Sequence, residues 1–181
     1  GGDGGGGGGE GDGGGGGGGG GGGVGWVSTE LHLRMASSSR LGGEVLRAGA
    51  PPAGVAEAVA RWLGVDAILA RPFRSLSQGE QKLLLIGAAL GARPALLILD
   101  EVCQGLDAAN RQRVLGLLQA VGAASGCSLV YITHHPDEWL PCLAHVLQLH
   151  EGASTYAGPR SNYDAAAAVA GQASGSGVVK P

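Results

Sequence analysis

The sequence predicts an α/β domain built on a largely parallel sheet. Three observations predict it. Apolar runs of strand length recur, "ALLILD" (95–100), "SLVYIT" (128–133) and "HVLQLH" (145–150), and continuous runs of this kind are typical of strands buried on both faces. Helical patterns stand between them, Leu83 to Leu90 before the first run and Ala108 to Ala124 before the second. The alternation of helix and strand is the pattern of a parallel sheet with crossover helices.

Each element has its own signal. Of the first 25 residues, 21 are glycine. Such a stretch buries no apolar surface, and residues 1–23 read as a disordered polyglycine leader. "VGWVS" (24–28) is short and β-rich and reads as a strand; "LHLRM" (31–35) alternates weakly and reads as a continued sheet edge. Leu41 to Ala48 suits a short helix, which Pro51-Pro52 then forbids from continuing. In "AGVAEAVARWLG" (53–64), Val55, Val59, Trp62 and Leu63 recur at helical spacing and form the inward stripe, and Gly64 is the stop. Ser77 is an N-cap candidate and Glu80, three residues on, completes a capping box before the buried helix that runs to Leu90. Val114, Leu115, Leu117, Leu118 and Val121 face inward on the next helix. Pro136 to Leu143 reads as a short helix, "STYAG" (154–158) as one more strand, and 161–181 as a low-complexity tail.

Bulk properties exclude some functions. The net charge of −3 suggests neither nucleic acid nor an anionic membrane as partner. The longest apolar stretch, Leu83 to Ala92, is half the roughly 20 residues of a membrane span. No CxxC pair occurs among Cys103, Cys127 and Cys142, so buried, reduced thiols are expected. A reduced, intracellular setting follows, either cytoplasm or an organelle interior.

The chemistry concentrates at strand and helix ends. "LLILDE" ends a buried strand in Asp100 and Glu101, at the sheet edge where α/β proteins bind ligands. Asp100 there suits Mg²⁺ bound to nucleotide phosphates, and Glu101 suits polarising a water; a strand ending in two solvated acids is the plainer alternative. His134 ends the following strand and would face the same edge, unless it is a core or capping histidine. A zinc site of His134, His135 and Cys142 lacks both the spacing and the ligand count. Asp107 in "QGLD" is at least an N-cap. Ser77, Gln78, Gly79 and Glu80 open a helix whose N-terminus attracts anions, and a plain cap is again the alternative.

Together, in this order, these segments resemble the ATP-binding cassette (ABC) ATPase family. "LSQGEQ" (76–81) is similar to its signature motif, "LLILDE" to its Walker B, "QGLD" to its D-loop and "ITHH" to its switch-histidine segment. The resemblance covers roughly residues 24–158. The longer stretches "SLSQGEQKLLLIGAAL" and "THHPDEWLPCLAHVLQL" resemble the second cassette of molybdate-type or photorepair-type tandem ABC ATPases. It implies a P-loop NTPase-like, three-layer α/β domain over 24–160 with a helical subdomain near 36–75. It also implies ATP and Mg²⁺ as cofactors. Asp100 would hold Mg²⁺, Glu101 would orient water, and His134 would contact the γ-phosphate. Ser77, Gln78, Gly79 and Glu80 would act on nucleotide held by a second cassette, either another copy or a tandem partner, with Asp107 coupling the two sites. Any membrane subunit is unspecified, and this chain would not itself insert.

The pattern departs from the family at one essential place. The phosphate-cradling loop GxxxxGK[ST] does not occur. Lys82 and Lys180 are the only lysines, and neither follows a glycine loop. Polyglycine lacks the fixed geometry of an anion nest and does not replace it. Ser28 and Thr29 stand where Pro-Gln is usual, and Val102 where Pro is usual. The expectation is a cassette incomplete at its N-terminus. It is either an ATPase half, a non-catalytic module that donates its signature to an intact partner, or an inactive fragment. Exposed apolar edges are expected of it.

Overall fold

The computed structural model describes residues 22–49, 54–124 and 126–163. The leader up to residue 21, the tail from 164 and the Pro51-Pro52 break lie outside the described residues. The elements in order are β1 (Val24–Val27), α1 (Thr29–Met35), α2 (Gly42–Leu46), α3 (Val55–Leu63), α4 (Gln78–Gly91), β2 (Leu96–Asp100), α5 (Ala108–Ala123), β3 (Ser128–Ile132), β4 (His145–His150) and β5 (Ala153–Pro159), with single 3₁₀ turns between some of them.

The central sheet is parallel, in the order β1-β2-β3. Trp26, Ile98 and Val130 stand side by side in its register, and so do Gly25, Leu97 and Leu129. Side chains alternate across a sheet, so these rows occupy opposite faces. Leu97 and Leu99 are fully buried in one core with Val27, the α4 residues Leu83, Leu84 and Ile86, and the α5 residues Val114 and Leu118. Leu129 and Tyr131 pack against the same core.

The helix α4 is the hub of that core. Its start is the expected capping box: Ser77 Oγ accepts from the Glu80 N–H at 3.3 Å, and Glu80 Oε2 accepts from the Ser77 N–H at 2.8 Å. Leu83, Leu84, Leu85 and Ile86 are all buried, each contributing about 1.5–3 kcal/mol relative to exposure. Gly87 lets α2 and α3 approach. A Cβ there would stand 2.6 Å from Leu46 Cδ1 and 3.2 Å from Leu63 Cδ1.

Four local expectations are corrected. "LHLRM" is not a sheet edge but part of α1, because Ser28 caps it, its Oγ accepting from the Leu31 N–H at 3.2 Å. Trp62 does not face inward; it is exposed, while Ala56, Ala60 and Leu63 form the buried face of α3, their small size bringing the helix close to its neighbours. The helix expected over 136–143 is a single 3₁₀ turn, Pro136–Glu138. "HVLQLH" does not join the parallel sheet; it pairs antiparallel with β5 in a separate two-stranded sheet.

Among the described residues, helices cover only one face of the central sheet. On the other, Val24 and Trp26 are 65% and 62% exposed, and Val130 and Ile132 are 44% and 46% exposed. Leu147 and Leu149 of β4 are exposed as well. A contiguous apolar face of this kind favours association. Sedimentation of the full chain is expected to show self-association rising with concentration, and Trp26→Lys with Val130→Lys to keep it monomeric without lowering its melting temperature. A wild-type chain that stays monomeric at every concentration would contradict this.

Candidate functional site at the edge of the parallel sheet

Three of the sequence-predicted residues meet at the C-terminal edge of the central sheet. Asp100 closes β2 opposite Ile132 in the register. The next backbone N–H, of Glu101, donates to Ile132 O at 3.0 Å and extends the pairing by one step. Glu101 then turns with φ +51°, a left-handed conformation uncommon outside glycine. Its carboxylate meets the segment after β3: Glu101 Oε1 lies 2.6 Å from His134 Nδ1. A carboxylate only accepts, so the ring nitrogen donates. Glu101 is three-quarters buried and His134 largely exposed. The second oxygen, Glu101 Oε2, is buried without a hydrogen-bond partner.

The segment that carries His134 is held from below by Glu138, which is 1% exposed. Its Oε2 accepts from the Tyr131 and Thr133 hydroxyls, each at 2.8 Å, and the Thr133 hydroxyl oxygen accepts from the His135 N–H at 3.0 Å. Arg111 Nε stands 3.7 Å from Glu138 Oε1. That is an ion pair too long for a hydrogen bond, and both atoms remain unbonded. Burial and the Cys103 and Glu138 contacts push the Tyr131 phenol well above its ordinary range, so Tyr131 stays a donor. Burial likewise raises the Cys103 thiol. The three cysteines are free; Cys103 is buried and the other two are partly so. Composition gave no warning of Glu138: within "HHPDEW" it reads as a solvated acid, and only the following Trp139 and Leu140 hint at an inward turn.

The other predicted residues occupy two helix starts. Ser77, Gln78, Gly79 and Glu80 form the exposed opening of α4, where the capping box occupies Ser77 and Glu80, the latter also 3.6 Å from Arg71. Asp107 caps α5; its carboxylate accepts from the Asn110 N–H at 2.8 Å and Asn110 Nδ2 at 2.7 Å. The Asn110 backbone bond holds its carboxyl below the usual range. Two contacts tie these starts together. Gly79 faces Leu106, and Lys82 Nζ donates to Gln104 O at 2.5 Å. Lys82 is thereby committed, and burial draws its ammonium pKa down.

The matching family model, described as "AAA domain, putative AbiEii toxin, Type IV TA system", covers residues 19–138. The chain belongs to this AAA domain family. It is also related to the ATP-binding domains of ABC-transporter type found in ModC- and ModF-like ATPases. An uncharacterized ABC transporter ATP-binding protein of Lactococcus lactis, YmeB, is 40% identical over 103 residues, covering 56% of this chain and 40% of the relative. The Escherichia coli ABC transporter ATP-binding protein ModF is 34% identical over 137 residues, covering 69% of this chain and 28% of the relative. The ABC-type domain thus spans well under half the length of these relatives. Among solved structures, a transporter described as metal-chelate type, in an inward-facing conformation, superposes with a TM-score of 0.62 at 24% identity, covering 77% of this chain and 60% of that one. An ATP-binding cassette in its ADP conformation superposes with a TM-score of 0.56 at 18% identity, covering 76% and 61%. These establish a P-loop NTPase-like α/β fold with a parallel sheet core and a helical subdomain.

Truncating Glu138 tests the support beneath the site. Glu138→Ala strands Arg111, Tyr131 and Thr133, and the expected loss is about 3 kcal/mol of stability in denaturant melts. A variant within 0.5 kcal/mol of wild type, about the scatter of surface substitutions, would contradict the burial and bonding described.

Proposed function

We propose that this chain is the signature- and carboxylate-bearing half of an ABC-type ATPase domain, akin to the second cassette of molybdate- or photorepair-type tandem ATPases. The observation that carries the reading is the Glu101–His134 pair, at 2.6 Å, beside Asp100 on the edge of a parallel sheet. In the reaction, Glu101 orients the attacking water and His134 contacts the γ-phosphate. The hydrogen bond from His134 Nδ1 leaves Nε2 to face the phosphate, to which it donates only where that nitrogen also carries a proton. Asp100 has no ion-pair or hydrogen-bond partner among the described residues, and a hard carboxylate oxygen of this kind fits Mg²⁺. When bound, Mg²⁺ would neutralise phosphate charge. Ser77, Gln78, Gly79 and Glu80 act on nucleotide held by a second cassette, and Asp107 couples the two sites through the Leu106 and Lys82 contacts with α4. The domain limits proposed are 24–160, with a helical subdomain near 36–75. No helix among the described residues is long and apolar enough to cross a membrane.

Among the described residues none form a cradle for the nucleotide's own phosphates. The sequence contains no GxxxxGK[ST] loop, and Lys82 is bonded to Gln104. Losing three charge-assisted hydrogen bonds at about 1.5–3 kcal/mol each removes about 4.5–9 kcal/mol, or three to six decades of affinity. The commitment of Lys82 to Gln104 favours a second reading, in which the chain completes the site of an intact partner through Ser77 and Gly79 and does not turn over ATP itself.

ATP turnover with Mg²⁺ separates the two readings. The full chain alone is expected to bind and hydrolyse ATP weakly. Mixed with an intact cassette of a relative, it is expected to stimulate turnover, and Ser77→Arg to abolish that stimulation. A further fall with Glu101→Gln assigns hydrolysis to this chain as well, whereas no change with Glu101→Gln leaves signature donation alone. Silence in both settings would refute both readings.

A further inference from the structure

Glu101, His134 and His135 each place one donor atom within 4.8 Å of the others, the one such cluster of His, Cys, Asp or Glu among the described residues. Neighbouring side chains on an extended chain normally point to opposite sides. Here the His134 and His135 rings lie on the same side, with centroids 3.9 Å apart and planes tilted by 40°. Two independent features hold them there. The Thr133 hydroxyl oxygen accepts from the His135 N–H and donates its own O–H to buried Glu138, fixing the loop from beneath. Across the edge, the left-handed turn at Glu101 brings in the carboxylate, one of whose oxygens is buried and unbonded. An unsatisfied buried oxygen is costly, and a cation would satisfy it.

We infer that Glu101, His134 and His135 form a site for a divalent transition-metal cation of the Zn²⁺ class. Two imidazoles and one carboxylate suit such a cation and leave coordination positions open to water, whereas Mg²⁺ prefers oxygen alone. Cys142 takes no part; its Sγ lies against Gly122, and its N–H donates to Gln119 Oε1 at 2.9 Å. The cation takes the place of the hydrogen bond between His134 Nδ1 and Glu101 Oε1: it binds the Nδ1 lone pair, and the ring proton shifts to Nε2. His134 is exposed enough to swing aside for it. One consequence rests on the ATPase reading: a cation held here occupies the atoms that would orient water, so metal binding and hydrolysis exclude each other. The site itself stands without that reading.

Titration of the full chain with Co²⁺, followed by displacement with Zn²⁺, tests the site. The expected result is one Co²⁺ per chain, with visible d–d bands and no thiolate charge-transfer band. His135→Ala and Glu101→Gln are expected to weaken binding at least tenfold, and His150→Ala to leave it unchanged. Circular dichroism checks the fold of each variant; if His135→Ala does not fold, His134→Gln, whose ring is exposed, carries the same criterion. No stoichiometric binding, a thiolate band, or a curve for the folded histidine variant that superimposes on wild type would each overturn the assignment.

Discussion

Everything at the candidate site depends on the parallel pairing of β2 with β3. The register aligns Leu96 to Asp100 with Ser128 to Ile132, and the Glu101 N–H adds one last bond to Ile132 O. Because both strands run the same way, their chemically loaded ends finish at the same edge. Because side chains alternate, Leu97 and Leu99 anchor the sheet in the core while Asp100 lies on the opposite face. A slip of one residue would exchange those faces and bury the carboxylate among leucines. The left-handed turn that follows is where backbone strain is converted into a functional approach, carrying the Glu101 carboxylate to the His134 ring.

The α4 helix transmits this geometry to the rest of the domain. Three of its first residues make specific ties. Glu80 closes the capping box. Gln81, buried, accepts from His32 Nε2 at 2.7 Å and donates to Phe73 O at 2.8 Å. Lys82 holds the loop that leads from Glu101 to Asp107. The opening of α4 is therefore bonded to α1 on one side and to the loop after β2 on the other. Below that, four consecutive buried aliphatic residues and the close approach at Gly87 fix the helix against the sheet and against α2 and α3. Displacement of the exposed Ser77–Gly79 opening by a partner would be felt at the loop beside Glu101 through these contacts.

Much of this was legible because it is local. The Ser77–Glu80 capping box, the Asp107 cap and the strand end at Asp100 are short-range signals whose physics lies within a few residues. The "LHLRM" segment misled because its apolar residues alternate, yet Ser28 starts a helix there, and what α1 buries is His32, paired with a residue 49 positions away. Trp62 misled because it recurs at helical spacing with Val55, Val59 and Leu63, whereas α3 buries Ala56, Ala60 and Leu63 and leaves the ring outside. Glu138 was invisible because its partners Tyr131, Thr133 and Arg111 converge only once β3 and α5 are in place. The apolar run of β3 suggested cover on both faces, and among the described residues only one is covered. Among the described residues, that open face lies beside the sheet edge that carries the Asp100 and Glu101 carboxylates and His134.

The account rests most directly on the hydrogen bond between Glu101 and His134. Nitrogen-15 NMR of the imidazole side chains in the full chain reads it. The structure predicts His134 as the Nδ1–H tautomer, with that signature lost in Glu101→Gln while His145, on β4, is unaffected. A His134 spectrum identical in wild type and Glu101→Gln would mean that the two residues do not meet at the sheet edge, and the site described here would not exist as drawn.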